Sequence, residues 1–426
     1  MVSSQGSSPS IAALPAVLLV ASMAMFVQAF VAVKLFFLCL FLLSAVVGVA
    51  LRRKVPVYPP LVVFYLSLSA AGIVWAIVGL LNQGTFELGI LDALRLYVIW
   101  SVALLILYSL LRSEPSLGLI HASLVLSGVL ISTINLVALA DQIGGWGLIP
   151  EDVRNDLELR IGIHEGYVQI TSHNIGMLFI IVPYLLSLQF RTDAARANTW
   201  LTKLALTMCL ILTALSGRRG LWLVAALTPC LILVLSIATR SHRTIRAGAT
   251  RLLRAYTIAV VVVVGLVVAR PESIPEIGYV SHVREAFSAE DERTIQKPYL
   301  IDAFMESPII GSGFGAFAAY LRDFERPWMG YELSYYQLLF NVGIVGLTVL
   351  VVLFAAYLLQ VTILLRRFKD GSAIPFGLLV GFCSLLIGAA SNRYFGSFDY
   401  LFFVGLLPYL ATFRRGFDPS AARTQS

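Results

Sequence analysis

Residues 200–238 read WLTKLALTMCLILTALSGRRGLWLVAALTPCLILVLSIA. Two apolar runs, near 200–215 and 219–238, flank the turn Ser216-Gly217-Arg218-Arg219-Gly220. A bilayer core about 30 Å thick takes roughly 20 apolar residues as a helix. In lipid every backbone N–H and C=O must be satisfied within the segment, so such runs are helices. A turn this short makes the two helices antiparallel neighbours and leaves two arginines at one membrane surface.

The same ruler along the chain predicts twelve spans. They lie near 11–30, 35–51, 60–81, 94–111, 117–140, 171–189, 200–215, 219–238, 252–270, 334–365, 374–390 and 397–412. The tenth is long enough to tilt or extend beyond the membrane. Of the 426 residues 58% are hydrophobic and only 13% charged, with a mean hydropathy of +0.85. A soluble chain carries about a quarter charged residues, so the deficit excludes a disordered chain, a nucleic-acid-binding domain and an ordinary cytosolic enzyme. The first apolar stretch has no basic segment before it and no small-residue cleavage pattern after it, and reads as a retained span.

Orientation follows from Lys and Arg in the short loops. With the N-terminus inside, the inner loops hold 18 of the 31 basic residues and four of the 24 acidic ones. The net charge of +7 thus divides into +14 inside and −7 outside. Both termini are expected in the cytoplasm. Two outer segments are long, roughly 141–170 and 271–333. The second carries ten aromatic residues from Tyr279 to Tyr331 and a helix-like piece over 294–305, which argues for an ordered cap rather than a connector. The organisation expected is therefore 1–270 with nine spans, a large outer loop over 271–333, and 334–426 with three spans and a cytoplasmic tail. No internal repeat or low-complexity segment is found.

Cys39, Cys209, Cys230 and Cys383 all lie in apolar runs with no CxxC pair, which reads as four small buried side chains. The five histidines show no HxxxH or HExxH spacing, so no metal site is expected. Gly311-Ser-Gly-Phe-Gly-Ala316 fits GxGxxA superficially. No strand–turn–helix unit surrounds it, and its glycines read as places where backbone passes close to backbone.

Charges at the outer span ends carry the chemistry. Arg218, Arg219 and Arg393 sit where the positive-inside rule disfavours them, and a charge near hydrocarbon costs a few kcal/mol unless paired or hydrated. One reading is an anion site, because guanidinium forks match phosphate oxygens. The other is snorkelling to headgroups, or pairing with Asp399, Glu332 or Glu165. Glu332 opens the tenth span and suits either a general base or an acid at a helix start. His173 and Asn174 open the sixth span, where capping is the plain alternative.

These residues, taken in order, resemble the O-antigen ligase and O-antigen polymerase superfamily of bacterial polysaccharide enzymes. Ser216-Gly-Arg-Arg-Gly-Leu-Trp-Leu223 is similar to the family's S-x-S-R-x-x-x-L-type turn before an apolar span. Arg293 followed by Pro308-Ile-Ile-Gly-Ser-Gly-Phe-Gly-Ala-Phe317 resembles its arginine followed by P-x-x-G-x-G-x-x-F. Glu332 through Gly343-Ile-Val-Gly346 resembles H-N-x-Y-L-x-x-L-x-x-x-G-x-x-G, and Asn174-Ile-Gly the short Asn motif of an earlier span. The similarity covers about residues 170–350 by motif and the whole chain by topology. One departure stands out. Family ligases carry a histidine where this chain has Glu332, which tilts the reading towards a polymerase.

The resemblance implies an all-α polytopic membrane protein of about twelve transmembrane helices with one large periplasmic loop (GT-C-like). It implies a glycosyltransferase of the bacterial inner membrane with its site on the periplasmic face. The donor and acceptor would be glycans linked to undecaprenyl pyrophosphate, joined with inversion and without metal or other cofactor. The product would be O-antigen, capsule or exopolysaccharide. Arg218, Arg219, Arg293 and Arg393 are then expected on the pyrophosphate, and Glu332 as base with His173 behind it and His282 as a further alternative. Asn174, Tyr331 and Tyr335 are expected on the glycan. Membrane lipid and a chain-length regulator would be its partners, and nucleic acid would not. Two rivals are weighed: an O-antigen ligase acting on lipid A-core, and a twelve-span secondary transporter. The transporter fold favours ionisable groups at the midplane and matching broken halves; here the ionisable groups gather at outer span ends.

Overall fold

The computed structural model describes residues 13–27, 29–52, 59–84, 88–110, 114–164, 167–190, 199–239, 250, 254, 292–318, 331–366, 373–390, 394, 399 and 400. Its elements in chain order begin with α1 (Ala13–Met25), α2 (Val31–Arg52) and α3 (Pro59–Gln83). α4 (Leu88–Leu94) runs through a π-helical turn, Arg95–Ile99, into α5 (Trp100–Leu110). There follow α6 (Glu114–Gly144), α7 (Glu151–Asp156), the strands β1 (Arg160–His164) and β2 (Tyr167–Thr171), and a 3₁₀ turn, His173–Met177, that opens α8 (Leu178–Leu188). The remaining helices are α9 (Trp200–Leu215), α10 (Arg219–Ala238), α11 (Glu292–Glu306), α12 (Ser334–Arg366) and α13 (Ala373–Gly388).

Ten of the expected spans coincide with described helices, while those near 252–270 and 397–412 lie largely or wholly outside the described residues. By length and composition five stretches suffice to cross a membrane: Val62–Gln83, Leu88–Leu105, Ile120–Gly144, Arg219–Ala238 and Ser334–Arg366. Val63, Leu81, Val352 and Leu359 are exposed on these stretches, as are Phe36 and Leu43 on α2, and apolar surface of that kind marks contact with lipid or a partner. The protein is a helical membrane protein. The antiparallel hairpin β1–β2, with Arg160 opposite Thr171 and His164 opposite Tyr167, is a small departure from an all-helical chain.

α8 is the centre of the bundle. All of its residues but Leu186 are buried, and a helix apolar all round belongs inside. It packs most extensively on α13, where Gly377 and Gly381 are four residues apart. A Cβ at Gly377 would lie 2.8 Å from the Tyr184 ring, and one at Gly381 2.8 Å from the Ile180 carbonyl oxygen. Small residues at this spacing let two helices approach backbone to backbone. The buried Tyr184 hydroxyl is satisfied by His121 Nδ1 of α6 at 2.7 Å.

α12 differs from the single long span the sequence predicts. It breaks at Gly343, whose φ of 62° and ψ of −172° are non-helical. The break is filled by the segment 308–314, which exchanges backbone hydrogen bonds with it. Pro308 and Ile309 carbonyls accept from Ile344 and Val345 N–H at 2.9 and 3.0 Å. The Phe340 and Asn341 carbonyls accept from Ser312 and Gly313 N–H at 3.1 and 2.8 Å. Groups orphaned by a helix end are costly in an apolar setting unless a partner is supplied, and here the loop supplies four. On its far side the segment is clamped to α3: the Trp75 indole donates to the Ile310 carbonyl at 2.8 Å, and Phe314 N–H donates to the Trp75 carbonyl at 3.0 Å. The glycines do serve close backbone passage. Gly311 and Gly343 face each other so closely that a Cβ on Gly343 would stand 2.5 Å from the Ile309 carbonyl oxygen.

Gly343→Ala should therefore destabilise the protein by more than the roughly 1–3 kcal/mol of an ordinary backbone outlier, seen as a lower unfolding temperature in detergent. An unchanged temperature would mean that the break tolerates a side chain.

Candidate functional site

The elements bring several polar groups to one end of the bundle. That end collects the starts of α2, α8, α10 and α12, the end of α13, and the turn between α9 and α10. Ser216 ends α9, and Gly217 follows with φ +64°, the left-handed residue that commonly stops a helix. The chain thus reverses at once, with Arg218 in extended conformation at the N-cap of α10 and Arg219 as its first residue. Both arginines are partly buried at a helix N-terminus, where the backbone itself favours negative charge.

Arg218 reaches back to the 3₁₀ turn before α8. Its Nη2 donates to the Ser172 carbonyl at 3.4 Å. Among the described residues no carboxylate lies within ion-pair distance of it. Ser172, Asn174 and Asn135 form a buried cluster beneath. Asn174 Oδ1 accepts from Asn135 Nδ2 at 3.0 Å and lies 2.7 Å from Ser172 Oγ, whose single proton is shared with Asn135 Oδ1 at 2.9 Å. Asn174 is fully buried and its Nδ2 has no partner. His173 Nε2 stands 3.5 Å from Glu158, within the electrostatic reach of Arg218, Lys34 and Arg160.

The second half comes from α11 and α12. Arg293, at the start of α11, places Nε 3.1 Å from Glu332 Oε2. The contact is an ion pair without hydrogen-bond angles, and both side chains are about one third exposed (32% and 30%). One turn along α11, the buried Gln296 accepts from Glu332 N–H through Oε1 at 3.0 Å. The clamped segment 308–314 connects α11 to the break in α12, and so sets where Arg293 meets Glu332.

Tyr394 joins the halves. It is buried, with its ring 4.8 Å from Phe179 of α8 and 4.8 Å from Tyr400. It lies in the fields of Arg218, Arg293 and Glu332, and burial pushes its pKa up to about 12 despite the two arginines. Arg218, Arg293, Glu332 and His173 are therefore neighbours of one small region. Arg393 lies outside the described residues, as do Glu165 and His282.

The two tyrosines expected on the glycan have structural partners. Tyr331 is buried, and its hydroxyl accepts from Ala318 N–H at 2.6 Å and donates to the Ala318 carbonyl at 3.2 Å, closing the ends of 318–331. Burial raises its pKa above that of free tyrosine, opposed in part by the Ala318 N–H. Tyr335 donates to the Leu386 carbonyl at 2.7 Å and ties α12 to α13.

Sequence reading missed the support around the site. Asp399, one of the acids considered for the arginines, pairs with Lys34. The two side chains are 9% and 4% exposed, and Lys34 Nζ lies 2.9 and 3.0 Å from the two carboxylate oxygens. Gln296, three residues after Arg293, had a signal in its helical spacing. Asn135, alone in an apolar run, had another. Nothing in the sequence linked Lys34 to a residue 365 positions away. Among the described residues no group of three His, Cys, Asp or Glu could hold a metal ion.

The fold and this polar end define a helical membrane protein with a basic site at one surface. Residues 204–351 match the family model described as O-antigen ligase. The match covers about a third of the chain and holds Arg218, Arg219, Arg293, Glu332 and Gly343, and it supports placing the chain in the O-antigen ligase and polymerase superfamily. No curated protein and no solved structure matches the chain.

A buried ion pair that loses one member leaves an uncompensated charge, which costs about 3–5 kcal/mol, whereas an apolar pair of similar volume is close to neutral. Asp399→Asn is expected to lower the unfolding temperature, and Lys34→Met combined with Asp399→Leu to restore most of it. A double variant no better than the single one would show that the pair does more than neutralise itself.

Proposed function

We propose that this protein is a polymerase that joins oligosaccharide repeat units carried on undecaprenyl pyrophosphate, at the periplasmic face of the bacterial inner membrane. The carrying observation is the grouping of Arg218, Arg293 and Glu332, all within the segment that matches the O-antigen ligase family, around Tyr394, with His173 in the field of Arg218. Both termini are placed in the cytoplasm, as the charge asymmetry of the loops requires.

In this reading the acceptor hydroxyl gives its proton to Glu332 and attacks the anomeric carbon of the donor sugar. The bond from that carbon to the phosphate oxygen breaks, and the pyrophosphate leaves with the electron pair, inverting the centre. Negative charge developing on the leaving group is held by Arg218 and Arg219 at the start of α10, with Arg393 assigned to the same task. In many enzymes, fixed donors aimed at developing charge lower the barrier more than any other device. Arg293 holds the Glu332 carboxylate and brings a further positive charge to the leaving group. His173, against Glu158 and close to Arg218, is the alternative base. No cofactor enters the scheme, and a chain-length regulator is a proposed partner.

A ligase transferring finished glycan to lipid A-core is the second reading, favoured by the description of the matching family. The lipopolysaccharide of a deletion strain separates them: cores capped with single repeats mean polymerase, and unsubstituted cores mean ligase.

Arg218→Ala should cut turnover by about 10²–10³-fold, the usual loss of a charge-stabilising donor, in purified enzyme that remains folded. Glu332→Gln should cost about 10²–10⁴-fold if Glu332 is the base; near-normal turnover would transfer that role to His173.

A further inference from the structure

We propose that the Tyr394 hydroxyl, the Asn174 side-chain amide and the Arg218 guanidinium form one buried donor pocket that grips a phosphate oxygen of the lipid-linked donor. The inference rests on the transfer reaction proposed above and adds two residues to its leaving-group site, one of them moved from the glycan.

The first observation is a pair of orphans. Tyr394 is 5% exposed and Asn174 0%, yet the Tyr394 hydroxyl and Asn174 Nδ2 have no hydrogen-bond partner. A buried polar group left unmade costs about 1–3 kcal/mol. Two such groups persist side by side only if something else satisfies them.

The second observation is their proximity. Gly176 lies two residues after Asn174, and a Cβ there would stand 2.9 Å from Tyr394 Cε1 and collide with the Tyr400 hydroxyl. Glycine at 176 thus lets both tyrosines close over the turn that carries Asn174. Ser172, in the same turn, holds Arg218 through its carbonyl and Asn174 through its hydroxyl. Tyr394 lies close to the Arg218 guanidinium without meeting it in hydrogen-bond geometry. The three groups thus meet at one turn, 172–176.

The third observation is chemical. A guanidinium and an amide NH₂ only donate. Burial keeps the Tyr394 hydroxyl protonated at any working pH, so that it donates as well. A sugar hydroxyl among these groups would meet a single acceptor, the Tyr394 oxygen, and would leave most of the donors unanswered. A phosphate oxygen brings lone pairs alone and fits the whole set. Arg218 has no carboxylate to neutralise it among the described residues, so the pocket keeps a positive charge for an anion.

The test uses the full chain purified in nanodiscs, with inorganic pyrophosphate as the probe. Tyr394→Phe removes one oxygen that has no protein partner, so the unfolding temperature should not fall. Pyrophosphate affinity should drop about tenfold, the equivalent of 1.4 kcal/mol, and turnover with lipid-linked donor should fall with it. Arg218→Ala should abolish binding. Pyrophosphate affinity should be the same in phosphatidylcholine and phosphatidylglycerol discs. Wild-type affinity and turnover in Tyr394→Phe, with binding lost in Arg218→Ala, would overturn this inference and leave the proposed function standing. Wild-type binding in Arg218→Ala would overturn both. Competition by phosphatidylglycerol that disappears in Tyr394→Phe would assign the pocket to a lipid headgroup and overturn it as a donor site.

Discussion

The exchange of backbone hydrogen bonds between 308–314 and the broken helix α12 is the constraint on which the site depends. A helix interrupted at Gly343 in an apolar environment exposes carbonyls and N–H groups that lipid cannot satisfy. The loop takes them up, and α3 takes up the loop through Trp75 and Asn82. One non-helical glycine thereby fixes the height and direction of α11 and the start of α12. The meeting of Arg293 and Glu332 follows from that, because each sits at the beginning of an element whose other end is clamped.

The other half of the site depends on a different device. α8 is buried so completely that polar atoms at its entrance must satisfy one another, and the Asn135–Ser172–Asn174 cluster does so almost entirely. Arg218 reaches this cluster because Gly217 reverses the chain in a single residue. The pair Lys34–Asp399 then ties the start of α2 to the last described residues, beside Tyr400 and Tyr394. A buried ion pair adds little net stability against an apolar alternative, but it specifies which segments meet at this end of the bundle.

Local pattern was enough to read much of this. Apolar runs of membrane length marked ten helices that coincide with described ones, and the glycines at 311, 313 and 315 were legible as points of close backbone passage. The arginines at 218 and 219 stood out because charge at an outer span end needs a cause. Less legible were relations between distant segments. The sequence offered Asp399 and Glu332 as partners for arginines in general; in the folded chain Glu332 meets Arg293, and Asp399 meets Lys34, a cation the sequence did not single out. Tyr331 and Tyr335 were expected on the glycan from the family resemblance, and their hydroxyls bond the backbone of Ala318 and Leu386.

By itself the sequence determined that this chain is a helical membrane protein, where its helices lie, and which charges are out of place, because hydrophobic length and charge position are properties of short segments. Only the tertiary structure decided that α12 breaks at Gly343 and that Asn174, Arg218 and Tyr394 meet at one turn. It also decided that Lys34 meets Asp399 and that Arg293 meets Glu332. Those outcomes turn on hydrogen bonds and burial between residues tens to hundreds of positions apart, where a single side chain carries no local sign of its partner.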